Sequence, residues 1–163
     1  MTMILGLATV ILILADWLFK SYVEERFGEK EEKPAGKWFV LRKVHNRGAC
    51  MNLLDDRPRL IRGLSLILTI LLTAWQIITF RKSRSLCRKK GAALLTAGAW
   101  SNTLDRLIRG YVVDYISIKS RFKKVSAVTF NLADVFIAAG SILTVIFTGR
   151  GKKREKKDMG ADK

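Results

Sequence analysis

Apolar residues in this chain are gathered into four long runs, near residues 3–19, 64–80, 91–108 and 132–148, with most of the charge between them. Each run is about 17 or 18 residues long, the lower end of what crosses ~30 Å of hydrocarbon as a helix. A soluble domain that is 49% hydrophobic and 27% charged would intersperse the two classes. Their segregation marks a membrane protein. The fold expected is all-α, four transmembrane helices with a small extracytoplasmic β element. The third run is the weakest, because it carries Asn102, Asp105 and Arg106.

The first run has no basic residue before Lys20 and no convincing small-x-small cleavage site after it, so it is expected to stay as an anchor. Orientation follows from the basic residues. Arg81 to Lys90 holds six and no acid, and Arg150 to Lys163 holds seven against three acids. Two runs separate these blocks, so they share a side, and the positive-inside rule makes that side cytoplasmic. Both termini then lie inside, and segments 20–63 and 109–131 face out. The expected place is a membrane, crossed several times. The net charge of +16 suits anionic lipid. Nucleic acid is not expected, because the basic residues flank spans and lack interleaved aromatics for stacking bases. Cys50 and Cys87 fall on opposite sides, so no disulfide is expected, and with His45 they make no metal site by spacing.

No repeat is visible. One membrane domain is expected over 1–150, followed by a basic cytoplasmic tail, 151–163, without fixed structure. Residues 37–44 and 110–118 read as strands, rich in aromatic and branched side chains, and Asn46-Arg47-Gly48 is a turn signal. The third run is dense in small residues (Gly91, Ala92, Ala93, Ala97, Gly98, Ala99), which lets helices approach closely.

Four acids carry the functional argument: Asp16, Asp105, Asp114 and Asp134. A carboxylate in hydrocarbon is costly and is seldom kept without a role. Asp16 and Asp105 lie at matching depths, roughly 20 Å from the inner end of their helices. Asp134 opens the fourth run, and Asp114 follows the third by a few residues, so all four converge near the outer leaflet. Asp16 and Lys20, spaced i,i+4, form either an interfacial ion pair with Lys20 snorkelling or a polar wall that orients neighbours. Asn102 and Asp105 share a helix face beside Arg106, as a buried network or as part of a site. Asn131 is placed to cap the fourth helix, whose dipole alone would account for Asp134. Asp114, between Val113 and Tyr115, has no such explanation. Two carboxyls sharing a proton split their pKa values, so one can take a proton from water while the other polarises a carbonyl.

These blocks resemble the lipoprotein signal peptidases (signal peptidase II), aspartyl proteases of the bacterial inner membrane. The resemblance covers all but the basic tail. It rests on Asp16-Trp17-Leu18-Phe19-Lys20, on Asn46-Arg47-Gly48-Ala49, on Gly98 to Arg106 running on through Gly110-Tyr111-Val112-Val113-Asp114-Tyr115-Ile116, and on Phe130-Asn131-Leu132-Ala133-Asp134. The resemblance implies a catalytic dyad of Asp114 and Asp134. It implies supporting or substrate-binding roles for Asp16, Lys20, Asn46, Gly48, Ala49, Asn102, Asp105, Arg106, Val112, Asn131 and Ala133. The implied partners are a lipid-modified prolipoprotein and membrane lipid, with no metal or other cofactor and no oligomer required. Cys50-Met51 departs from the small residue and aromatic usual there, which bears on substrate or inhibitor fit. The rival reading is a small proton-coupled transporter. It would want a mid-bilayer carboxyl and a pathway open to both sides, but the acids are off-centre and the second run is bare of charge. A purely structural membrane subunit would leave Asp114 without a purpose.

Overall fold

The computed structural model describes residues 1–29, 31–48 and 55–161. Nine elements follow in order: α1 Thr2–Arg26, β1 Glu32–Ala35, β2 Phe39–Asn46, α2 Pro58–Lys82, α3 Leu86–Ile108, β3 Val112–Ile118, α4 Lys123–Ala127, β4 Thr129–Phe130 and α5 Leu132–Ala161. The long helices outrun the apolar runs because they continue into charged segments, Glu24–Arg26 in α1 and Arg81-Lys82 in α2. Pro58 occupies the first turn of α2, where its missing N–H is no loss. The Ser85 hydroxyl caps α3 by accepting from the Arg88 N–H at 3.4 Å.

Helices α1 and α2 are long and apolar enough to cross a membrane, and Leu132–Phe147 is a shorter apolar stretch. Helix α3 sits centrally, packed against α1, α2 and α5. Its small residues explain this place. A methyl on Gly98 would strike the carbonyl oxygen of Ala133, and one on Gly140 would meet the Leu95 nitrogen at 2.5 Å. Backbone thus lies against backbone along the α3–α5 seam. The described part of α5 takes in residues 151–161, the segment read from sequence as a tail without fixed structure. Its Lys, Arg and Glu are good helix formers.

The four strands form one antiparallel sheet in the order β1-β2-β3-β4. Both expected strands are present, the first shifted two residues towards Asn46. Helices α1 and α3 end at the sheet, whereas α2 and α5 begin there. Val23 of α1 and Phe27 just after it pack beneath the sheet against Val113 and Tyr115, forming the one buried apolar cluster among the described residues. Gly110 turns the chain from α3 into β3 with φ of 86°, a conformation that favours glycine.

Candidate active site

One hydrogen-bonded network joins all four acids, but it treats them as two pairs. Asp16, Lys20 and Asp105 are each 0% exposed. The Lys20 Nζ lies 2.9 Å from Asp16 Oδ2 and 3.5 Å from Asp105 Oδ2. It also donates to Ser101 Oγ at 3.2 Å and to Asn102 Oδ1 at 2.7 Å. Lys20 therefore does not snorkel; it turns inward to a site where two carboxylates outweigh the pull of water. The remaining lone pairs are used as well. Asp16 accepts from Ser101 Oγ at 2.6 Å and from the Tyr115 hydroxyl at 2.8 Å. Asp105 accepts from Arg109 Nη1 at 2.6 Å and from the Val113 N–H at 3.0 Å. Burial, then the Asp16 carboxylate, push the Tyr115 phenol above its ordinary range, so it stays a donor. Such a network holds only when nearly every member is satisfied.

The second pair is held differently. Asp134 and Asn131 form a reciprocal helix cap: the Asp134 N–H donates to Asn131 Oδ1 at 3.0 Å, and the Asn131 N–H donates to Asp134 Oδ2 at 3.1 Å. The capping role read from sequence is real. It leaves Asp134 Oδ1 free to accept from Asn102 Nδ2 at 2.9 Å. Lys20 can only donate, so the Asn102 atom facing it is the oxygen, and the amide nitrogen must face Asp134. The position of Asn102 follows from Gly98 one turn earlier, where α3 touches α5 at Ala133, itself fully buried.

Asp114 is 5% exposed. Its Oδ1 accepts from Asn131 Nδ2 at 2.6 Å and its Oδ2 from Asn46 Nδ2 at 3.1 Å. Val44 pairs with Asp114 across the sheet and Asn46 with Val112, so Asn46 is a diagonal neighbour of Asp114 on one sheet face. Buried Val112 seats this register. Asn131 thus touches both acids, with its amide reaching Asp114 and its oxygen holding the Asp134 backbone. Burial, then the nearby Asp134 carboxylate, raise Asp114 to about 7 against the two amide donors. No ion pair forms to Asp114 or Asp134 among the described residues. A carboxyl half-protonated near neutrality beside a second carboxyl can donate a proton while its partner accepts one.

Arg106 reaches from α3 to the segment that follows β2, donating to the Asn102 carbonyl at 3.3 Å and to the carbonyl of buried Gly48 at 2.9 Å. Ala49, Cys50 and Met51 lie outside the described residues. Sequence reasoning missed Ser101, Tyr115 and Arg109. Arg109 had a signal, since it stands i+4 from Asp105 in the same acid-first order as Asp16 and Lys20. Its Nη2 also donates to Ser21 Oγ at 2.6 Å, tying α3 to α1. Ser101 and Tyr115 lie inside motif blocks but show no such spacing.

Fold and site together define a small helical membrane protein that gathers carboxylic acids beneath a sheet at one end of its bundle. Comparisons with known proteins agree. The family described as Signal peptidase (SPase) II matches residues 8–149. A lipoprotein signal peptidase of Caldicellulosiruptor bescii is 36% identical over 78% of this chain and 79% of its own. One of Moorella thermoacetica is 35% identical over 84% and 87%, and one of Halothermothrix orenii is 31% identical over 90% and 96%. A bacterial membrane enzyme solved by the in meso method at 2.3 Å resolution shares the fold, with a TM-score of 0.78 and 23% identity over 92% of this chain and 90% of that one. The chain belongs to the signal peptidase II family, and it is an enzyme, an aspartic-type peptidase.

Proposed function

We propose that this peptidase removes signal peptides from prolipoproteins that carry a diacylglyceryl-modified cysteine, with Asp114 and Asp134 as its catalytic dyad. The observation that carries the dyad is Asn131, which hydrogen-bonds Asp114 through its side chain and the Asp134 backbone through its oxygen; among the described residues neither acid has an ion pair. Asp134, accepting at both oxygens, takes a proton from a water molecule as that water attacks the carbonyl before the modified cysteine. Asp114 gives its proton to the carbonyl oxygen. Collapse of the resulting diol breaks the C–N bond: the proton on Asp134 goes to the departing amine, and one diol hydroxyl returns its proton to Asp114 as the carbonyl re-forms. One water is consumed, and a carboxylate and a new amino terminus are left.

Asp16, Lys20, Asp105 and Ser101 orient Asn102 and touch no reacting atom. Arg106 ties Gly48, just after β2, to α3. Four membrane spans, cytoplasmic termini and a site near the outer leaflet of the inner membrane fit this chemistry. The acyl chains of the substrate stay in lipid while its peptide bond reaches the water boundary. The sheet stands at the opposite end of the bundle from the basic α2–α3 connection, as that topology requires.

Asp114→Asn and Asp134→Asn should each abolish processing while the protein still inserts, read as accumulation of lipid-modified precursor in cells that depend on this gene. Normal processing by either variant rules out the dyad.

A further inference from the structure

Between Lys33 and Gly48, and again between Tyr115 and Ala133, the chain contains no Asp or Glu at all, yet it holds nine Lys and Arg. Both stretches meet at one end of the sheet. Phe39 pairs with Ile118, and the Lys119 N–H donates to the Trp38 carbonyl at 2.8 Å. Phe122 follows at the start of α4, which Arg42 fastens to the sheet by donating to the carbonyls of Ser126 at 3.1 Å and Ala127 at 2.9 Å. The tip is therefore one braced structure. Four residues of extended strand, about 13 Å, separate it from Asp114.

Trp38 is 63% exposed and Phe122 75%, with Phe39, Ile118 and Val125 also uncovered. Among the cations, Lys33 pairs with Glu31 and Arg42 with Glu32. Lys37, Lys119 and Arg121 are exposed and form no ion pair among the described residues; the Lys37 ammonium stands 5.2 Å from the Trp38 ring. Exposed aromatics beside unpaired cations suit the boundary between acyl chains and headgroups, where rings bury their apolar part and ammonium groups meet phosphate. Tyr22, 52% exposed near the end of α1, marks an aromatic at the same end of the bundle.

We propose that this sheet tip is a docking surface for anionic phospholipid of the leaflet that the active site faces, with Trp38 and Phe122 entering the interface and Lys37, Lys119 and Arg121 binding headgroup phosphates. It deepens the reading given under Proposed function by fixing how the sheet, and so Asp114, sits against the membrane.

The test is quenching of Trp38 by acyl-brominated lipid, with the full chain in nanodiscs of phosphatidylcholine alone or mixed with phosphatidylglycerol. The Trp38 signal is the difference between the wild type and Trp38→Phe, because Trp17, Trp75 and Trp100 contribute to both. Quenching is expected in the mixed discs, cut by roughly half in high salt or by the combined Lys37→Glu, Lys119→Glu and Arg121→Glu changes. An unquenched Trp38 in mixed discs overturns the proposal. Equal quenching in both lipids, unmoved by salt and charge reversal, overturns the anionic part and leaves plain apolar contact. The Asp114→Asn protein should be quenched like the wild type, so a failure of the dyad and a failure of this surface are told apart.

Discussion

Replacing Asp114 by Asn should stabilise the protein in alkaline solution while destroying its activity. Asp114 holds its proton to about 7 in the folded protein, against an ordinary value of 3.8, chiefly because it is buried and secondarily because of Asp134. The unfolded chain releases that proton near the ordinary value. Between about pH 4 and pH 7 the unfolded state is thus increasingly favoured, and the full penalty is present above about pH 7. About three pKa units at ~1.36 kcal/mol each make a penalty of at most about 4 kcal/mol, lost again below about pH 4 where both states are protonated. Asn carries no such penalty. Its own amide would face Asn46 and Asn131, both of which donate to Asp114. Asn131 cannot reverse, since its oxygen holds the Asp134 N–H, but Asn46 Oδ1 has no partner among the described residues and can turn to accept. At 2–4 °C per kcal/mol for a chain of this size, the variant should melt roughly 10 °C higher near pH 8 and level with the wild type near pH 4. Tryptophan fluorescence melts of detergent-solubilised protein across that range would read this. A constant offset at every pH, or an Asn variant less stable in alkali, would refute the burial argument.

Lys20→Met should leave Asp16 and Asp105 as unpaired buried carboxylates, costing ~3–5 kcal/mol, and should remove the donor that fixes the Asn102 amide, loosening its hydrogen bond to Asp134. Both a lower melting temperature and accumulated precursor are expected; a stable, active variant would show that the cation is dispensable. Gly98→Leu should drive α3 from α5 at Ala133 and remove Asn102 from Asp134, seen as loss of folded protein, whereas Ala99→Leu, beside it on the helix, should be milder. Reporters fused after Lys90 and after Lys163 should read cytoplasmic and one near Lys33 external; any other pattern contradicts the proposed topology.

Much of the site could be read before any coordinates, because polar groups in apolar runs stand out. The small residues of the third run foretold a close helix approach, though not that α5 would be the partner, and the β-branched and aromatic runs foretold β2 and β3. The partition of the acids was hidden. Whether Lys20 faces water or Asp105 depends on how α1 is rotated about its axis, and a chain of one sequence carries no direct record of that angle. Ser101 and Tyr115 were silent for the same reason, since each meets Asp16 from more than 80 residues away. The exposed tip was hidden too, because its two halves are far apart in sequence and meet only through β2–β3 pairing.

Asp114 and Asp134, the proposed dyad, sit on one short stretch of chain, from β3 through β4 to the first turn of α5, and Asn131 clasps them from within that stretch. Their separation is fixed by neighbours in the chain and not by how far the long helices lean. Bilayers vary in thickness, and helices answer such mismatch by tilting. An enzyme built this way can tilt its helices to suit thicker or thinner lipid while the gap between its carboxyls stays constant.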